Sequence, residues 1–569
     1  MSMDQYTDRH HPDYVPGTFN IYASFPGDKA VRWSRLKKDS CGVYLTPQPS
    51  DSPNDPLNWS VWRKYIHFGL MSFITAFTAA TSNNASAAQD SLNELYGVSF
   101  EAMNTGAGVL FLCIGWGTLV FAPLSSLYGR KITYMICIGF GLLGAIWFAC
   151  ASNTKDAIWS QALVGVSEAC AEAQVQLSLS DIFFQHQLGS VLTVYILCTS
   201  IGTFLGPLIA GYISSLTNFR WVGWVGAIVS GGLLLALLFF CEETYFDRKS
   251  YITPLTWFPN SSNLRRSSSS SSLLSENANA KEDKALGEGK ESDEEHCRFE
   301  GTSLLDGAAE ELKPYHRRIA LITKASNLKG WGVQQYLKYI GINMRMFLFP
   351  PVWLSGLFWG IQDVFLSFYL TTEEDYYPEA PWNFSSYQVA LMNVPTLVGA
   401  VVGCMYAGVI SDYFVLWMAR RNGGIMEAEY RLYFSAPAAL LGTLGLLLFG
   451  IGTEQQLSLS VVYGGLVLIG FAWGCSGDIA MSFLMDCYPE MVLEGMVCTS
   501  VINNTLSCIF TFFCSPFIEA VGTQNTYIFL AVMNFSVTLL AWPMLVYGKK
   551  IRKLTAKWYN QSIDLRDGV

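Results

Sequence analysis

The chain has 569 residues, 51% of them hydrophobic and 14% charged, with a mean hydropathy of +0.28. Soluble chains carry roughly a quarter charged residues, so a string of soluble domains is excluded and a membrane protein is indicated. The net charge of −9 says little about partners, because many of the acids fall in two polar stretches, 270–311 and 371–386.

The first 65 residues are polar, contain Pro12, Pro16, Pro47, Pro49, Pro53 and Pro56, and lack the short apolar core of a cleavable signal peptide. Insertion is therefore expected to be directed by the first span itself. Apolar runs of spanning length, about 20 residues, fall near 66–88, 103–125, 132–152, 157–180, 190–214 and 222–241. From 242 to 345 the chain turns polar, with a serine run at 267–272 behind Arg265 and Arg266 and an acidic run at 291–295. Such a segment has too little apolar surface to fold alone, and hydroxyls behind basic residues make it a target for a kinase. Six more runs follow near 347–370, 387–411, 431–452, 459–483, 496–517 and 526–547. The expected layout is a tail (1–65), a six-helix bundle (66–241), a disordered linker (242–345), a second six-helix bundle (346–547) and a C-terminal tail (548–569). The fold class is an all-α, multi-pass membrane protein of twelve transmembrane helices embedded in a lipid bilayer.

Lys and Arg favour the cytoplasmic ends of spans. Arg63, Lys64, Arg130, Lys131, Arg248, Lys249, Lys338, Arg345, Arg420, Arg421, Lys549, Lys550, Arg552 and Lys553 all sit in the tails and even-numbered loops, whereas the odd-numbered loops hold essentially Lys155 and Arg220. Both termini and the linker are expected to be cytoplasmic, and the loop with the glycosylation sequon at 383–385 to face outward. The fourteen cysteines are scattered, many within apolar runs and without paired spacing, and read as small apolar packing residues. No metal or cofactor signature, no nucleotide-binding GxxxxGK[ST] and no HExxH occurs. Neither an enzyme nor a nucleic-acid partner is expected.

A carboxylate at bilayer depth costs at least a few kcal/mol, so it normally faces a cavity or a partner. The fourth run carries Glu168 and Glu172, four residues apart and hence on one helix face; the seventh carries Asp363 and the tenth Asp478. No Lys or Arg falls in the middle of any run, and an interior with acids and no bases suits cations or protons. Two nearby carboxylates in low dielectric raise each other's proton affinity, which makes Glu168 or Glu172 a candidate proton carrier. Trp359, Phe365 and Trp473 lie close to these acids in sequence and could add aromatic faces for an ammonium group. Interior amides, Asn83, Asn84, Asn393, Asn503 and Asn504, ordinarily bond helix to helix.

Two six-span halves around a linker resemble the major facilitator superfamily, whose halves rock about a site near the bilayer midplane. PNDPLNWSVWRKY (53–65) is similar to the segment before the first span of fungal drug:proton antiporter-type facilitators, and GTFLGPLIAG (202–211) resembles that family's glycine-proline motif. LSDIFFQHQLGS and ETYFDR (243–248) resemble the branch of fungal polyamine and histidinol-type carriers. The resemblance implies substrate contacts at Asn84 and Asn504, in spans that line the family's cavity, and gives Glu172 first place among the acids, with Asp363 and Asp478 expected to face it from the second half. It assigns gating and helix packing to Gly129, Arg130, Lys131, Gly202, Gly206, Pro207, Gly211 and Asp412, the glycines by allowing close approach and Pro207 by bending its helix. The family's gate charges are absent at Ser126, Leu127, Gln161 and Leu188, so the first-half latch is expected to be apolar or weaker. The combined expectation is a plasma-membrane carrier of a small organic cation, polyamine-like, working by alternating access, either proton-coupled or facilitative. The alternatives are a multidrug or metabolite exporter of the same fold, and a non-transporting sensor that kept the fold while its gate charges were lost.

Overall fold

With no water in the bilayer core to satisfy backbone groups, a spanning chain closes its hydrogen bonds within helices. The computed structural model describes residues 13–20, 37, 45, 47, 49–247 and 310–568, and the linker's serine and acidic runs lie outside them. Twelve long helical segments follow in order. Spans 1 to 6 are Val61–Asn83, Phe100–Tyr128, Arg130–Ala149, Thr154–Cys170 continued by Gln176–Ile182, Gln185–Leu216 and Phe219–Phe240. Spans 7 to 12 are Pro350–Tyr376, Ser386–Leu391 continued through Asn393–Met405 and Ser411–Arg421, Ser435–Glu454, Leu459–Cys487, Val492–Val521, and Thr523–Leu539 continued by Ala541–Asp567. Among the described residues nine helices are long and apolar enough to cross a membrane. Spans 1, 4 and 7 fall short, because the hydroxyls, amides and carboxyls that they carry inward dilute their hydropathy.

Local chemistry sets the ends. Ser99 accepts a hydrogen bond from the Ala102 amide at the start of span 2, Asn153 does the same for Asp156 in span 4, and Ser385 with Gln388 forms a capping box at span 8. Span 1 begins and ends five residues earlier than its apolar run, since the polar stretch after Asn84 folds instead into a 3-10 turn (Ser86–Ala88) and a short helix (Gln89–Tyr96) closed by Gly97. The C-terminal tail is not separate: the second helix of span 12 runs on to Asp567.

The halves meet where span 2 packs on span 11 and span 5 packs on spans 8 and 10. Residues 310–345, expected to belong to an unfolded linker, instead lie along the first half before entering span 7. Thr323 and Ala325 donate backbone hydrogen bonds to the Tyr128 and Leu127 carbonyls at 3.0 and 2.9 Å, Tyr336 donates to the Val120 carbonyl at 2.8 Å, and helix Val333–Arg345 contacts spans 2, 11 and 12. These partners are remote in sequence, so composition alone gave no sign of them.

The N-terminal tail precedes the first half but is seated on the second. Strand β1 (Thr18–Asn20) pairs antiparallel with β2 (Ile425–Glu427), which precedes span 9. Gly17, at φ +69°, lies so close to the Asp486 and Cys487 carbonyls that a Cβ would clash with both. Buried Arg552 donates to both Glu429 oxygens at 2.9 and 2.5 Å, to the Thr18 hydroxyl at 3.2 Å and to the Pro16 carbonyl.

Candidate substrate and gating site

The centre of the bundle is built around a break in span 4. Residues Ala171–Val175 form a π turn, a feature that recurs at functional sites because it displaces side chains from α-helical register. Glu168 lies just before this turn and Glu172 within it. Ser82 of span 1 donates to Glu168. Glu172 lies beside Ser500 of span 11 and within electrostatic reach of Glu168 and of Asp363; its Oε2 has no hydrogen-bond partner. Asp363, on span 7, faces the Trp473 indole Nε1 at 3.4 Å and the Asn503 side chain. Three carboxyls, two from the first half and one from the second, therefore share one centre. Asp363 is 8% exposed, whereas Glu168 and Glu172 keep part of their surface accessible. None of the three forms an ion pair with a described Lys or Arg.

Aromatic rings wall this centre. Trp359 and Trp473 meet at a tilt of 52° with 4.7 Å between centroids, and Phe204 of span 5 meets Trp473 edge-on at 5.5 Å. Tyr195, also on span 5, donates to the Ala171 carbonyl at 3.0 Å and lies within reach of Glu172 and Glu168. Phe365 is buried in the apolar core, with no described contact to the acids. Sequence reasoning placed Trp359 and Trp473 here but passed over Ser82, Phe204, Tyr195, Asn503 and Gln176. Gln176 donates to the Glu172 carbonyl at 3.0 Å, and its Oε1 remains buried without a partner, as do both amide atoms of Gln174. Two buried, unsatisfied amides in one turn beside the acids were legible as glutamines within an apolar run.

Asp478 does not face Glu172. It receives a hydrogen bond from Thr193 of span 5 at 3.3 Å and belongs electrostatically with Arg431 and Asp412, because five residues along span 10 from Trp473 carry it toward the end that holds the tails. Arg431 pairs there with Asp412 at 2.8 Å and Asp486 at 2.5 Å. A Cβ at Gly189 of span 5 would meet the Asp412 carboxylate, so this cluster touches the first half. The first half carries charged contacts of its own at this end, beside the apolar ones expected. Glu243, in the segment after span 6, accepts from the Arg130 and Lys131 amides at 2.9 and 3.2 Å, directly after Gly129 at φ +100°. Lys131 donates to the Leu238 and Ile319 carbonyls, each at 2.8 Å. Arg130 pairs with Asp181 at 3.4 Å, and Arg63 with Glu242 at 2.5 Å. Leu127 is fully buried and Leu188 packs on the core, so apolar contact adds to the charges without replacing them.

The remaining candidates hold helices together. A Cβ at Gly202 or Gly206 would strike the backbone of Ala76 or Ala80 on span 1, which brings span 5 into backbone contact with it, while Gly211 faces Ala390 on span 8. Pro207 lies inside span 5. The Asn84 amide nitrogen donates to the Gly206 and Ala80 carbonyls at 3.0 and 2.6 Å. Asn504 donates to the Ser500 carbonyl at 2.9 Å with its Cβ side against Gly115 of span 2. Both amides are thus committed to protein partners.

Known proteins agree with this architecture. Residues 69–510 match the Major Facilitator Superfamily family model. The chain is 64% identical to "Protein HOL1" of Saccharomyces cerevisiae over the whole of both chains, and 45% identical to an uncharacterised MFS-type transporter of Schizosaccharomyces pombe, over 97% of this chain and 95% of that one. Among solved structures, the proton:xylose symporter XylE superposes with a TM-score of 0.55 at 13% identity, covering 88% of this chain and 100% of that chain. That likeness is one of fold, whereas the sequence matches establish kinship: the chain belongs to the major facilitator superfamily and is a multi-pass membrane transporter of small solutes.

Proposed function

We propose that the chain carries a small organic cation, a polyamine-like amine, by alternating access, with protons exchanging on the same carboxyls. The observation that carries this reading is the joint centre of Glu168, Glu172 and Asp363, drawn from both halves and without a basic partner. An ammonium group meets there what the protein leaves unprovided: a charge for the carboxylates and hydrogen-bond donors for the free oxygens of Glu172 and Gln176. The Trp359, Trp473 and Tyr195 faces supply about 0.5 to 2 kcal/mol each toward a cation. Because the acids come from both halves, a cation held between them draws the halves together, and protonation releases it. A chain placed in the plasma membrane with both tails cytoplasmic would then meet amines from outside when the end opposite the tails opens.

The test is uptake of labelled spermidine by yeast lacking its own polyamine carriers, comparing wild type with Glu172→Gln at two external pH values. A hydrogen bond to a charged group contributes roughly 1.5–3 kcal/mol, so the variant should lose about ten- to a hundredfold in uptake efficiency. A wild-type rate that depends on pH supports proton exchange. No wild-type uptake despite surface expression overturns the amine reading and redirects the search to efflux of hydrophobic compounds.

A further inference from the structure

A second acid is enclosed far from the centre. Glu373 lies ten residues beyond Asp363 on span 7, about 15 Å along the helix axis, at the end opposite the tails. Its side chain is buried, the residue being 1% exposed, and neither carboxyl oxygen receives a hydrogen bond. Tyr369, Tyr377, Tyr463 and Tyr527, from spans 7, 10 and 12 and the loop after span 7, lie within electrostatic reach of it. Three of these hydroxyls are engaged elsewhere: Tyr369 with Asn393 at 3.1 Å, Tyr377 with Thr453 at 2.8 Å and Tyr527 with Thr372 at 2.9 Å. The charged group nearest in its electrostatics is Glu374, of like sign and on the same turn. Trp382 and Phe384, each tilted against Tyr377 at 5.6 Å, close the loop over this cage.

A buried carboxylate anion without donors or a counter-ion is strongly disfavoured against its neutral acid. The described oxygens have protein on every side, so a ligand must be small. We propose that Glu373 is a proton-binding site separate from the central acids, and that its proton holds the tyrosine cage shut. The carboxylate takes one proton from water at the end opposite the tails when the loop is open, becomes the neutral acid that the closed cage accommodates, and returns that proton to the same water when the cage opens. The sign follows: the closed cage binds the proton and the open cage tolerates the anion, so the closed form is favoured at low pH and loses ground as pH rises above the ordinary carboxylate range.

The test uses the full-length protein in lipid nanodiscs and needs no substrate. Infrared difference spectra across a pH step should show a protonated-carboxyl C=O band that Glu373→Gln removes and Glu172→Gln retains. Hydrogen exchange of residues 371–391, corrected for the intrinsic pH dependence of exchange, should rise with pH in wild type and stay flat in Glu373→Gln. A wild-type carboxyl spectrum that Glu373→Gln leaves unchanged, or a flat wild-type exchange profile, overturns the proposal. If Glu373→Gln fails to yield monodisperse protein, the wild-type exchange profile alone decides between these outcomes. Because neither readout involves spermidine, failure here is distinct from failure of the amine-carrier reading.

Discussion

Trp473 and Ser82 show how single donors shape the central acids. Each offers one hydrogen to a carboxyl in the low-dielectric interior, and the two lie on different halves. Trp473→Phe keeps a ring in the aromatic wall but removes the indole N–H from Asp363; the expected outcome is a rise of about tenfold in the KM for spermidine, equivalent to ~1.4 kcal/mol, with little change in maximal rate. Ser82→Ala frees Glu168 to take a substrate nitrogen in place of the hydroxyl, so its uptake should become more sensitive to external pH, which paired uptake curves will show. Glu168, Glu172 and Asp363 were legible in the sequence because an acid in an apolar run needs a reason. Ser82, Asn503 and Tyr195 were not, because a hydroxyl or ring inside a span is unremarkable until its neighbour is known. Asp478 carried the same signal as Asp363 and was misplaced by it: hydropathy gives depth approximately and says nothing about which helix a side chain meets.

At the scale of an element, span 5 decides how closely the first half packs. Gly202 and Gly206 bring it to the backbone of span 1, and Pro207 lies next to that contact. Gly206→Val should lower thermal stability by at least the ~1–3 kcal/mol of overpacking, because the atoms met are backbone and cannot rotate away. Gly211→Ala, which meets the methyl of Ala390 at 3.0 Å, should have a smaller effect; thermal-shift midpoints of the purified variants will separate them. The glycine-proline string was readable as a close-approach motif, and the contact with span 1 gives it a partner. The π turn in span 4 had no such sign. AEAQV at 171–175 is a sequence that an unbroken helix would also accept, and the Tyr195 hydroxyl that meets the Ala171 carbonyl there comes from another span.

On the scale of the whole molecule, the N-terminal segment 13–20 fastens the second half although it precedes the first. Its effect is local: it braces the end of span 10 that carries Asp486 and the segment before span 9 that carries Arg431. Deleting residues 1–20 should therefore loosen that end, and maleimide labelling of Cys487, buried beneath Gly17, should become faster when followed by mass spectrometry of its peptide. Arg552→Ala would leave Glu429 buried without its partner and should destabilise by about 3–5 kcal/mol, more than the deletion does. The sequence by itself determined the number of spans, the division into two halves and the presence of acids without bases in the interior, because bilayer thickness and charge desolvation act on every residue locally. Tertiary structure alone decided which acids share a centre, that Glu243 and residues 310–345 latch the first half, and that the N-terminal segment crosses to the second. Those outcomes depend on hydrogen bonds and ion pairs between segments remote in the chain, where the stabilising partner is set by packing and leaves no periodic trace.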